Sequence, residues 1–76
     1  NPCSESAVVQ VELNKAANLS LELLNLMGQQ VLAIPAKKVN AGTHHLTLDV
    51  DCLAPGIYIY SVIADSKKIN RKMVVE

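Results

Sequence analysis

The chain has no tryptophan, no phenylalanine and only two tyrosines among its 76 residues. Its core must therefore be built from Val, Leu and Ile, in a chain whose hydrophobic share is 50%. An excess of one charge sign is also missing: seven Lys plus Arg balance seven Asp plus Glu. That balance argues against an electrostatic partner such as nucleic acid or an anionic membrane. The longest apolar run, Ile57 to Ala64, falls far short of the roughly 20 residues a membrane-spanning helix needs, so no membrane insertion is expected. The two cysteines, Cys3 and Cys52, form no Cys-x-x-Cys pair and give no zinc or thioredoxin-like motif. The three glycines stand isolated, which excludes a phosphate-binding glycine loop. No serine sits in a Gly-x-Ser-x-Gly context, so a hydrolase nucleophile elbow has no support.

Residues 1–76 make a single domain, with no room for a second core. A domain of this size buries only about 60% of its unfolded surface, so each stabilising contact matters. The chain opens on Asn1 rather than Met and shows no signal peptide. It therefore reads as a piece cut from a longer protein. In an oxidising compartment Cys3 and Cys52 could form one disulfide, constraining the unfolded chain by about 4 kcal/mol. Two unpaired thiols are the other reading, since spacing does not fix the distance between the two Cα atoms.

Alternation of apolar and polar residues recurs along the chain. Val9, Val11 and Leu13 share one face, with Gln10 and Glu12 between them. Leu19, Leu21 and Leu23 repeat the pattern against Ser20 and Glu22. His44, Leu46, Leu48 and Val50 do so again, with Thr47 and Asp49 turned outward. A period of two marks a half-buried strand. Ile57 to Ala64 is apolar on both faces and predicts a central strand. Ile69 to Val75 carries Lys and Arg and predicts a more exposed strand at an edge. Leu19 to Met27 also fits helical spacing behind Asn18. Its short length and its strand neighbours favour a strand, paired through Gly28 with Gln30 to Ile34.

Turn signals separate these runs. Asn14 to Asn18 is a short polar link. Met27-Gly28-Gln29 and Asn40-Ala41-Gly42 each carry a glycine free to take positive φ. Ala54-Pro55-Gly56 combines a pre-set proline with a permissive glycine, and Asp65-Ser66 closes the last hairpin. Short strands at near-regular spacing predict an all-β fold, a sandwich or a barrel.

Candidate chemistry is sparse. His44 and His45 are adjacent and point to opposite faces of a strand, so they do not share a metal. Asp49 and Asp51 share a face just before a turn, where turn chemistry is the simpler role. Lys37-Lys38, Lys67-Lys68 and Arg71-Lys72 are scattered pairs suited to solvated loops and strand edges. Tyr58 and Tyr60 share one face, as a small stacking platform for sugar or as packed sheet residues. No nucleophile, acid/base pair or metal set converges, so neither catalysis nor a cofactor is expected.

The order of these signals resembles the type A C-terminal sorting domain of the type IX secretion system, carried by exported proteins of Bacteroidetes. Asn1-Pro2 opens the chain, and a strand ending in Leu13 follows. Asn25-Leu26-Met27-Gly28-Gln29-Gln30-Val31 matches that family's Asp-x-x-Gly-x-x-Val turn, with Asn for Asp. Gly42-Thr43-His44 matches its Gly-x-His step. Asp49, Leu53 and Gly56-Ile57-Tyr58-Ile59-Tyr60 match the next block, and Lys72-Met73-Val74-Val75 the closing strand. Cys3, Leu24 and Cys52 depart from the family's usual residues; the two cysteines both fall at departures, which favours their pairing.

The resemblance implies an immunoglobulin-like antiparallel sandwich of about seven short strands. It also implies a function. The parent protein would enter the periplasm, and the outer-membrane translocon would recognise this domain. A sortase-like protease would remove it, leaving the cargo at the cell surface or released outside. The last hairpin is the expected recognition element, because its final strand offers backbone for pairing. The candidate contact residues are Gly56, Tyr58, Tyr60, Lys72, Met73, Val74 and Val75. The open sheet edge would also allow a homodimer. The alternatives are a carbohydrate-binding module and a structural immunoglobulin-like accessory module of a secreted enzyme.

Overall fold

The computed structural model describes residues 6–51 and 53–76. Six strands follow one another: β1 (Ser6–Leu13), β2 (Ala17–Leu24), β3 (Gln30–Val39), β4 (Gly42–Asp49), β5 (Gly56–Ala64) and β6 (Lys67–Val75). β1 and β4 form a two-stranded sheet, and β3-β2-β5-β6 form a four-stranded one. Every pairing is antiparallel. The architecture is the expected immunoglobulin-like β-sandwich, with six strands among the described residues where the resemblance implied about seven.

Side-chain alternation dictates the two layers. Leu19, Leu21 and Leu23 of β2 are all but fully buried, at 3%, 1% and 0% exposure. They meet Val9 of β1, Leu48 of β4 and Val50 beyond it, with Tyr58, Val62 and Val75 closing the cluster. The residues between them in β2, Ser20 and Glu22, point away from the core, as the period of two requires. β5 is central in its sheet, between β2 and β6, and β6 is an edge. The helical alternative for Leu19 to Met27 is not adopted.

β3 runs further than its sequence suggests. The expected strand spans Gln30 to Ile34, and Pro35 beyond it lacks the N–H a strand interior uses. The strand continues to Val39 because the register slips at that point: Leu21 pairs with Ile34, but Leu19 pairs with Lys37. Pro35 and Ala36 therefore face the single residue Ser20, a bulge on an edge strand, where proline is tolerated. Lys37 and Lys38 consequently lie on a strand edge.

Two turns are closed by side chains. Asn25 Oδ1 accepts from the backbone N–H groups of Met27 and Gln29, at 2.9 and 3.0 Å. Gly28 takes φ +83, the left-handed region that an L side chain avoids. At the other end of the sheet, Asp65 takes φ 54 in the two-residue turn from β5 to β6, a conformation Asp tolerates better than most residues. Its carboxylate accepts from the Asn18 N–H, and its own N–H donates to the Asn18 carbonyl, each at 2.9 Å. The last hairpin is thus tied to the start of β2.

The candidate recognition hairpin

The β5–β6 hairpin is built by a register that pairs Gly56 with Val75 at one end and Ala64 with Lys67 at the other. That register sorts the seven candidate residues onto two faces. Tyr58, Tyr60, Met73 and Val75 turn toward the core; Tyr58 and Val75 are buried, and Tyr60 and Met73 pack against the buried cluster. Lys72 and Val74 point the other way and are exposed. Gly56 is exposed at the start of β5.

Tyr58 is held by more than packing. Its hydroxyl donates to the Ala54 carbonyl at 2.6 Å, four residues upstream. A buried phenol needs such a partner, because an unpaired polar group in the core is costly. A buried Tyr58 leaves no open ring pair for stacking a sugar. Across the hairpin, the Ser61 hydroxyl donates to Asn70 Oδ1 at 2.6 Å. Ser61 is only 2% exposed although it points away from the core, since its cross-strand neighbours cover it.

Charge gathers on β6. Lys67, Lys68, Arg71 and Lys72 all lie on this one strand, with no acidic residue between them. Lys68 Nζ sits 3.6 Å from the Glu22 carboxylate on β2. Among the described residues β6 pairs only with β5, so its other backbone edge is free.

Elsewhere the described residues assemble no reaction centre. His44 is half-buried and its Nε2 lies 2.7 Å from the Asn40 carbonyl oxygen, while His45 is exposed on the opposite face. Among the described residues no group of three or more His, Cys, Asp or Glu is placed to hold a metal. An open recess beside the end of β6 is lined by Ser6, Ala7, Val50, Val74, Val75 and Glu76, and brings no acid/base pair together. The candidate Cys3–Cys52 disulfide lies outside the described residues.

Sequence reasoning missed one feature. Ile57 and Ile59 alternate with Tyr58 and Tyr60, and apolar residues on both faces suggested burial on both faces. β5 is central within its sheet, yet no second layer covers its outer side among the described residues, and Ile57 remains 44% exposed. Counting strands would have revealed it: six strands in two layers leave an outer face on each sheet.

The family model for the secretion system C-terminal sorting domain matches residues 1–76. The chain belongs to this family. No curated protein and no solved structure matches it. It is a sorting signal for type IX secretion, recognised by that machinery and implying export across the outer membrane. A sorting domain is not itself catalytic.

Proposed function

We propose that the chain works as a folded tag, read in the periplasm by the outer-membrane translocon through its β5–β6 hairpin. The observation that carries this reading is the family match across the whole chain, 1–76. The exposed Lys72, Val74 and Gly56 make direct contact. Tyr58, Tyr60, Met73 and Val75 hold the hairpin in shape from the core side. The free edge of β6 lets a partner strand add by backbone pairing. Two copies pairing there would set the cations of one β6 against those of the other, which disfavours a homodimer by that route. The chain performs no catalysis of its own. After translocation a sortase-like protease removes it, and the cargo stays on the cell surface or is released.

The test is a fusion. Residues 1–76 are placed after a fluorescent protein bearing an export signal, in a Bacteroidetes strain with a working type IX system and in a translocon-deficient strain. The expected result is extracellular fluorescence in the working strain only, on a product lacking the mass of the tag. Deleting residues 72–76 should abolish export. Periplasmic retention in both strains, or normal export of the truncation, would overturn the hairpin reading.

A further inference from the structure

The outer face of the four-stranded sheet is divided into two halves. Because Leu23, Tyr58 and Val75 face the core, Leu24, Ile57, Ile59, Lys72 and Val74 face outward. The register sets Leu24 beside Ile59, Ile59 beside Lys72, and Ile57 beside Val74. One half of the face is therefore an apolar band. The other half is mainly polar: Glu22 lies beside Ser61, and Ser61 beside Asn70, with the Lys68–Glu22 pair across them and Ile63 between Ser20 and Lys68.

The β2–β3 turn stands at the apolar end. Leu26 and Met27 at its tip are 68% and 83% exposed. The turn is held by five hydrogen bonds, all between Asn25 and Met27, Gly28 or Gln29. None uses the side chain of Leu26 or Met27, so folding of the turn does not require either to be apolar. Of the six exposed large hydrophobic residues among those described, four (Leu26, Met27, Ile57 and Val74) sit at this end. Exposed apolar side chains gathered at one end of a sheet face in this way mark an interaction site.

We propose that this band and turn form a docking surface for a protein of the secretion machinery, one presenting an apolar strip with a carboxylate opposite Lys72. The inference rests on the sorting reading and extends the contact beyond the last hairpin to β2 and its turn. Charge decides the occupant. Lys72 lies within the band and makes no ion pair among the described residues, whereas Lys68 on the polar half already has Glu22. A second copy packed on this face about a two-fold axis would bury two Lys72 side chains together without a counter-charge, which is costly. A lipid surface calls for several cations around the apolar patch, and the band holds one. The turn, fixed by Asn25, presents its two apolar side chains on a backbone that need not be ordered on binding.

The experiment uses the same export fusion. The double variant Leu26→Ser/Met27→Ser and the single variant Val74→Ser are each expected to lower extracellular reporter by about tenfold or more. Lys72→Glu should lower it further than Lys72→Gln. Val8→Ser and Ile69→Ser, at the other two exposed hydrophobic positions, should export as the unvaried tag does. Thermal melting of each purified variant separates lost contact from lost fold: the expected result is unchanged melting. Export of the double variant and of Val74→Ser at the unvaried level would overturn this inference and leave the sorting reading standing. Failure of the unvaried tag to export would take down both. Dimers in light scattering that the double variant dissolves would overturn the choice of partner. So would co-sedimentation with phosphatidylglycerol vesicles that the variant abolishes.

Discussion

Tyr58 and Ala54 are joined by a 2.6 Å hydrogen bond from the tyrosine hydroxyl to the alanine carbonyl, across the turn that begins β5. The arrangement is that of a tyrosine corner, a recurring brace of immunoglobulin-like sandwiches. It fixes the segment through which the chain crosses from the two-stranded sheet to the four-stranded one. Tyr58→Phe keeps the ring in the core and removes only this bond. The expected cost is about 1–2 kcal/mol, or a fall of roughly 5–15 °C in Tm for a domain of this size. Thermal circular dichroism measures it, and an unchanged Tm would show the brace to be idle.

The Asn25 turn predicts a ranking. Asn25→Asp keeps the oxygen that caps Met27 and Gln29 and loses only the amide donor to Gln29 Oε1. It should be close to neutral. Asn25→Ala loses the cap altogether and should cost about 1 kcal/mol. Gly28→Ala meets no neighbouring atom within 4 Å, so its cost is conformational alone, about 1–2 kcal/mol for a left-handed residue. Urea denaturation of the three variants would reverse this account if Asp proved as damaging as Ala.

Much of the fold was legible because its physics is local. A period of two at Leu19, Leu21 and Leu23 names both a strand and its buried face. The free φ of Gly28 and the polar Asp65 name turns. The extension of β3 was not legible, because whether Pro35 ends a strand or sits in a bulge depends on the register of β2 opposite it. The site was read only in part. Lys72 and Val74 were found on the final strand, but parity alone could not say that Tyr58 is buried. The apolar outer band was legible in principle, since a two-layer sandwich leaves the outer side of Ile57 and Ile59 uncovered, but apolar residues on both faces of the run suggested burial on both.

Ser61 and Asn70 offer a measurable coupling. The 2.6 Å bond joins β5 to β6 under cover of neighbouring side chains. Ser61→Ala and Asn70→Ala should each destabilise by about 1 kcal/mol. The double variant should cost less than their sum by about 0.5–1 kcal/mol, because the two share one interaction. Strict additivity in a double-mutant cycle would mean the bond contributes nothing net.

Leu23 decides whether the secretion machinery reads a fold or a linear segment. Its side chain is 0% exposed and packs in the core cluster with Tyr58 and Val75, so it presents nothing to a partner. Leu23→Ala should cost about 2–5 kcal/mol, against a total stability of roughly 4–11 kcal/mol for a chain of this length. The variant therefore has a much larger unfolded fraction while every exposed residue is retained. If recognition needs the assembled faces of β5 and β6, export should fall in step with the folded fraction. Leu23→Met, which nearly conserves volume and costs less than about 1.5 kcal/mol, should restore both. Tyr58→Phe should fall between the two. Export of Leu23→Ala at the unvaried level, with its unfolding confirmed by circular dichroism, would mean that the strand sequences themselves carry the signal and that the sandwich serves only to survive the periplasm.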